Sequence, residues 1–416
     1  MTIESKPRVL YIVYWGAAEP LGQSLVLPAV KKLARLGADL TLVTFEKPAD
    51  IERREAMAAI KESLAQSGVW WVALRYHKRP KLPATCFDFV HGVARGLAAR
   101  LRTRFDIVHA RTFVGGLMGM ALAPVLDAKL IYHNEGFYPD EQVDAGVWQA
   151  DSTPHRVAKS LEARMYSRAD AVIALTNRAK REIENLPAVR RKSTPVIKVP
   201  SCVDLDLFPP IDSSPPVNGG VTRLIYAGNV EGRYRFDAIA RFVSIASREL
   251  GRAHLRVLTA AEPGAVNRLL GAGGLAEGSW SVDKVPREAM PAELASASAG
   301  FNFLQQGISE RGCSPTKVGE YWAAGIPTVC NANVGDVEEV IRQERVGVIV
   351  DRYTDEAYVR AAKELRVLLE DGQLRDRCRR AAQAHYALEP FCEQQFALYR
   401  EVTAREGAGS LARSHV

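Results

Sequence analysis

Two doubly wound α/β domains are what this 416-residue sequence predicts. Three observations lead there. Apolar, β-rich runs alternate with helical patterns along the chain, which is the signature of a parallel sheet covered by helices. The first of these runs, RVLYIVYW at 8–15, is continuously apolar, as expected of a strand buried on both faces. The alternation stops once, at a Pro-, Ser- and Gly-rich stretch over 201–220, and then starts afresh. A chain of this length also exceeds one ordinary core.

In the first half, strands are expected at 8–15 (RVLYIVYW), 39–45, 69–76, 106–110, 128–134, 170–175 and 195–200. A glycine-bearing loop after the first strand leads into a helix. The uncharged run Thr112–Leu126 is shorter than the ~20 residues needed to span a bilayer, and it holds three glycines and a proline, so it reads as a buried helix. Thr176 stands where it can cap the helix that follows 170–175. In the second half, strands are expected at 223–228, 253–259, 299–304, 327–331 and 347–351. Helical segments follow at 354–371 and 373–387, Glu389-Pro390 interrupts the pattern, and a last helix covers 391–404. The domains are therefore 1–200 and 221–388, joined by a linker at 201–220. Residues 389–416 supply a C-terminal helix expected to pack back on the first domain, and a tail from Glu406 that reads as frayed. Ligands of such sheets bind outside the carboxyl ends of the strands, and two such edges facing each other make a central cleft.

The six cysteines show no paired spacing and fit reduced thiols in a cytoplasmic protein. The N-terminus has no apolar core of the kind a signal peptide needs. The net charge of +7 is uneven: residues 1–200 carry 30 basic and 20 acidic side chains, residues 201–416 carry 25 and 28. The excess concentrates between Arg75 and Arg111. An anionic membrane, on the inner face of which the protein would sit peripherally, or a phosphorylated lipid suits this balance; a solvated helix face is the alternative. Aromatic residues are not interleaved with the basic ones, which sets nucleic acid aside.

The first βα turn, YWGAAEPLGQS, is not the G-x-G-x-x-G fingerprint of dinucleotide binding. Gly16 and Gly22 still allow a tight loop and an anion at a helix start. The segment from Ser309 to Cys330 is more specific. A polar turn ends in Ser314-Pro315, with proline suited to the first helical position. Thr316 and Lys317 then open a helix whose free N–H groups and one ammonium suit a diphosphate. Glu320 lies on nearly the same face and can accept both hydroxyls of a ribose. A capped surface helix with an i,i+3 ion pair is the alternative reading of these residues.

Residues 314–328 resemble the donor-site pattern S-P-T-K-x-x-E-Y-x-A-x-G-x-P-V of the family-four retaining glycosyltransferases, which have the GT-B fold of two Rossmann-like domains. VPSCVDLDLF (199–208) resembles that family's I-P-N-G-V-D-x-x-x-F, with Cys202 in place of glycine. YAGNVEGRYRFD (226–237) resembles the loop after the first strand of its second domain. In the first domain, DIVHARTFVGGLMG and HNEGFYPDEQVDAGVW resemble segments of a subgroup with an R-G-x-W-x-D-E run.

The resemblance implies transfer of a sugar from a nucleotide-diphosphate sugar, with retention, to a glycan, lipid-linked or small-molecule acceptor, as in polysaccharide biosynthesis. It implies no cofactor beyond that co-substrate and no metal. Glu320 would hold the ribose, and the backbone at Ser314, Pro315 and Thr316 would cradle the diphosphate beside Gly228 and Asn229. Arg233, with Arg235 or Lys317, would neutralise the leaving group. His133 matches a histidine beside the transferred sugar. Asp140, Glu141 and Arg111 match the acceptor side. Two positions depart from the pattern: the first Glu of E-x7-E is Gly312, with Glu310 two residues early, and the subgroup's arginine before the glycine is Glu135. A sugar-nucleotide epimerase or hydrolase of the same fold, and a non-catalytic nucleotide-binding relative, stand as alternatives.

Overall fold

The computed structural model describes residues 6–209 and 221–411, with side chains to 404. Its contacts divide the chain into two compact units. The first comprises 1–139, 150–199 and 388–416, and the second 140–149 and 200–387. Most of the segment read as a linker, 210–220, lies outside the described residues, as do residues 412–416.

The first unit is built on seven strands: β1 (Arg8–Val13), β2 (Asp39–Glu46), β3 (Trp70–Arg75), β4 (Ile107–Arg111), β5 (Lys129–Asn134), β6 (Ala171–Ala174) and β7 (Val196–Lys198). All pair in parallel, in the order β3-β2-β1-β4-β5-β6-β7. The order reverses between β1 and β4, so the loops that leave these two strands diverge and open a crevice at the carboxyl edge. β1 is buried from Val9 to Val13, which explains its uninterrupted apolar sequence. It ends at Val13, two residues before the expected limit, because Tyr14 and Trp15 already belong to the loop. The helix Phe113–Leu126 is buried along one side against β4 and β5. Thr176 accepts from the Ala179 amide at 3.0 Å and caps the helix Asn177–Glu184.

The second unit repeats the plan with six strands: β8 (Val221–Ala227), β9 (Arg252–Leu258), β10 (Trp280–Asp283), β11 (Ala299–Asn302), β12 (Thr328–Asn331) and β13 (Gly347–Val350). Their order is β10-β9-β8-β11-β12-β13, again parallel, with its switch point between β8 and β11. Phe242, Phe301 and Phe303 interlock edge to face in its core. On the other face of the sheet, Trp322 is fully buried and donates its indole N–H to the Val346 carbonyl at 3.1 Å.

β10 and the helix Pro263–Ala272 before it were not expected. Five glycines between 264 and 278 interrupt the apolar pattern there, and a four-residue, partly exposed edge strand carries little hydrophobic signal. The helical run does break before the last helix, at Ala387, which is extended with ψ 129°, two residues ahead of the Glu389-Pro390 position where the sequence placed the interruption. The last helix runs Leu388–Leu411 and takes proline into its first turn, where no amide donor is needed. It therefore also includes the first part of the tail read as frayed.

Candidate functional site

In the second unit, the polar side chains gather where the loops after β8 and β11 meet the start of the helix Thr316–Ala323. Its capping residue makes no side-chain hydrogen bond to the helix start among the described residues. Pro315 stands at the capping position with ψ 118°, so proline precedes the first helical residue rather than filling it. Ser314 is buried and its hydroxyl accepts from the Ser201 amide at 3.1 Å, which ties the turn to the start of the linker motif. Glu320 is buried one turn into the helix, and Arg287 donates to its Oε1 at 3.0 Å. Arg287 is a partner that no local motif announces.

Lys317 is buried between two aromatic rings, with Nζ 4.2 Å from the centroid of Tyr226 and 4.1 Å from that of Tyr234. It donates to the Tyr226 hydroxyl at 3.2 Å. Burial pushes its ammonium down to about 7. Gly228 makes this placement feasible. Its φ is +138°, and a Cβ there would stand 2.9 Å from Nζ of Lys317. Asn229 is exposed beside it and accepts a hydrogen bond on its carbonyl from Tyr226.

Arg233 donates to Glu310 at 2.7 Å and lies 3.7 Å from Glu141. Glu310 is buried, and its second oxygen, Oε2, has no hydrogen-bond partner among the described residues. Burial raises its carboxyl to about 6 although Arg233 pulls the other way. Asp140 accepts from Arg311 at 3.2 Å, and Asp144 accepts from the Ser309 amide at 2.8 Å. The acidic residues read as acceptor-side thus lie with the loop that precedes Ser314. Arg235 points elsewhere: it forms a two-pronged pair with Asp237 at 2.9 and 2.7 Å and stacks on Tyr353.

In the first unit, the site lies at the ends of β4 and β5. Arg111 is buried, donates to Glu135 and reaches the Tyr11 hydroxyl at 3.4 Å. Glu135, one of the two departures, is thus the counter-charge of Arg111. His133 Nδ1 is 3.1 Å from His109 Nε2, and His109 Nδ1 is 2.8 Å from the Tyr399 hydroxyl. Gln395 donates to that hydroxyl at 2.9 Å. Burial, with Arg111 nearby, holds both imidazoles well below their ordinary value, so both are neutral. His133 Nε2 has no hydrogen-bond partner among the described residues; the nearest carboxylate oxygen, on Glu135, is 3.5 Å away.

The first βα loop is packed more tightly than its glycines alone suggest. A Cβ on Gly22 would meet the Gly16 carbonyl at 2.0 Å, so Gly22 is where the loop closes on itself. The amides of Ala17 and Ala18 already donate to the buried Glu46 carboxylate at 2.7 and 3.2 Å. Glu46 was not singled out in the sequence, and it fills the anion-binding amides of this loop.

Two parallel α/β units, each with polar residues gathered at its switch point, are the architecture of the GT-B glycosyltransferases. The family comparisons agree with it. The model of Glycosyltransferase Family 4 matches residues 24–207, and a model described as glycosyl transferase-like matches residues 248–400. The chain therefore carries glycosyltransferase domains of the GT-B type. No curated protein sequence matches it.

Among solved structures, sucrose-phosphate synthase from Thermosynechococcus elongatus is similar with a TM-score of 0.67 and 16% identity, over 96% of this chain and 100% of that one. WaaG, a glycosyltransferase involved in lipopolysaccharide biosynthesis, gives 0.63 and 14%, over 94% and 99%. HepE from Anabaena, in complex with UDP and glucose, gives 0.62 and 13%, over 93% and 98%. At these identities the likeness establishes the fold.

Proposed function

We propose that this protein is a retaining glycosyltransferase that moves a sugar from a nucleotide-diphosphate sugar to a glycan, lipid-linked or small-molecule acceptor. One observation carries the reading. A buried carboxylate, Glu320, is held by Arg287 one turn inside a helix whose capping residue, Pro315, offers no side-chain acceptor to its first amides, with Lys317 and Arg233 in the same unit. A ribose and a diphosphate need that combination of a two-lobed acceptor and clustered donors.

In this reading, Glu320 accepts the ribose hydroxyls and Arg287 fixes its orientation. The amides at the helix start hold the diphosphate beside Gly228. The bond from the anomeric carbon to the diphosphate oxygen breaks, and a bond to the acceptor oxygen forms on the same face. The acceptor's proton passes to the departing phosphate. Negative charge builds on the leaving group, and Lys317 and Arg233 lower its energy without a metal or other cofactor. Arg233 must exchange part of its bond to Glu310 for the phosphate, so Glu310 regulates how much of that charge is offered. Arg235, already satisfied by Asp237, plays no part. His133 presents Nε2 to the transferred sugar, and Arg111 and the acidic pair Asp140 and Glu141 serve the acceptor side.

A panel of nucleotide-diphosphate sugars tested first by thermal shift and then by product analysis addresses this directly. The expected result is stabilisation by one nucleotide class and acceptor-dependent release of the nucleoside diphosphate with the anomeric configuration kept. Fast turnover without acceptor, or an epimerised sugar nucleotide, would overturn it.

A further inference from the structure

The helix Lys81–Ala99 is amphipathic in the reverse sense. Its buried positions are the small or polar ones: Ala84, Asp88, Gly92 and Gly96. There is no room for more, since a Cβ on Gly92 would stand 2.7 Å from Met118 Sδ and one on Gly96 2.7 Å from Leu122 Cδ1. Phe89 and Val93 pack half-buried against the core, and other apolar residues occupy the outer face. Pro83, Phe87, Val90, Ala94 and Leu97 follow one another at spacings of four and three, which puts them on one stripe, Leu101 follows in the turn just past the helix's end, and all are exposed. Val90 is 64% and Leu101 93% exposed, so this is a surface and not a core seam. The stripe continues onto Val125, exposed at the end of the next helix, whose carbonyl accepts from Arg100 at 3.2 Å.

The charge around this stripe has one sign. Between residues 75 and 104 there are eight lysines and arginines, every one exposed, and a single carboxylate. That carboxylate, Asp88, is fully buried and accepts from the Tyr14 hydroxyl at 2.8 Å and the His77 amide at 3.0 Å. No acidic group on this helix therefore reaches its outer face.

We propose that this face docks on an anionic lipid bilayer, with Phe87, Val90, Leu97 and Leu101 entering the headgroup boundary and the surrounding arginines and lysines meeting lipid phosphates. An apolar stripe rimmed by cations matches a surface that is apolar below and anionic above. A protein partner or a second copy would have to bring a dense acidic collar to the same place. No helix among the described residues is long and apolar enough to cross a membrane, so the association is peripheral. The docking is independent of the transfer reaction; where both hold, it brings the first unit to a lipid-linked acceptor.

Sedimentation of the full chain with vesicles tests this without any nucleotide or acceptor, so its outcome does not depend on the enzymatic reading. Vesicles of phosphatidylcholine alone are compared with vesicles one-third phosphatidylglycerol. Binding to the anionic vesicles is expected to be at least about tenfold tighter and to fall at high salt. Val90→Asp and Leu101→Asp, both on exposed positions, are each expected to weaken it about tenfold or more, while Val90→Leu keeps it. Circular dichroism confirms that the variants fold. Equal binding to both vesicle types, or Val90→Asp binding like the parent, would overturn the proposal. So would a parent dimer that Val90→Asp converts to a monomer without any vesicle binding, which would assign the face to a second copy.

Discussion

The hydroxyl of Tyr399, on the last helix, stands 2.8 Å from Nδ1 of His109, on β4. Because Gln395 donates to that hydroxyl, Tyr399 is expected to donate onward to Nδ1. A neutral His109 then carries its proton on Nε2 and donates to Nδ1 of His133 at 3.1 Å. This leaves His133 with its proton on Nε2, the nitrogen that has no hydrogen-bond partner among the described residues. On this order of donors, Tyr399 sets the tautomer of His133.

Tyr399→Phe should break that order. Nδ1 of the buried His109 loses its donor, at a cost of about 1–2 kcal/mol in stability. Nitrogen NMR of the imidazoles should show His133 as a single Nε2–H tautomer in the parent and as a mixture in the variant. Neither ring should titrate at its ordinary value in the parent, since burial holds both well below it. An unchanged tautomer in the variant would contradict the chain of donors.

Lys317 should make binding of a nucleoside diphosphate depend on pH. Its free ammonium loses its proton near pH 7, and a bound anion favours the charged form. Affinity should be flat below pH 7 and fall above it, by up to about tenfold per unit. Titration calorimetry in buffers of different ionisation enthalpy should show uptake of a proton at pH 8.5. Lys317→Met should bind more weakly throughout and lose the pH dependence.

Glu310 acts on stability in the acid range. Burial raises its folded-state carboxyl to about 6, above its ordinary value, so the folded state holds the proton more tightly than the unfolded state. Its contribution is present at low pH and is lost as pH rises between about 4.5 and 6, on the order of 2 kcal/mol. Denaturant unfolding at several pH values should show Glu310→Gln without this loss. The same variant should bind nucleoside diphosphate more tightly above pH 6, because Arg233 no longer shares its charge with a carboxylate.

Arg287→Ala should weaken nucleotide binding about fivefold to fiftyfold, by leaving Glu320 buried without its donor. The deficit should be smaller for a 2′,3′-dideoxy nucleotide, which cannot use Glu320. A non-selective loss would mean that Arg287 supports the fold and not the ribose contact.

The strands were legible in the sequence because each is a short, β-rich segment set between helical patterns, and β1 to β9 and β11 to β13 fall where those segments lie. β10 was not, because an edge strand of four residues among glycines buries too little to leave a pattern. Glu320 and Lys317 could be read together since one helix turn joins them. Arg287 could not, because its partner is 33 residues away and only the fold brings them together. Glu46, which fills the amides of the first loop, and Tyr399, which orders the histidines, were hidden for the same reason. The two departures from the family pattern acquired meaning only in three dimensions: Glu135 neutralises Arg111, and Glu310 engages Arg233.

The central claim is that the helix Thr316–Ala323 and Glu320 hold the donor nucleotide. The most direct test is the dissociation constant of the stabilising nucleoside diphosphate, measured by calorimetry for the parent, Glu320→Ala and Arg233→Ala, with thermal unfolding to confirm that each variant folds. The account predicts at least about tenfold weaker binding in each variant. Parent-like affinity in both folded variants would contradict it.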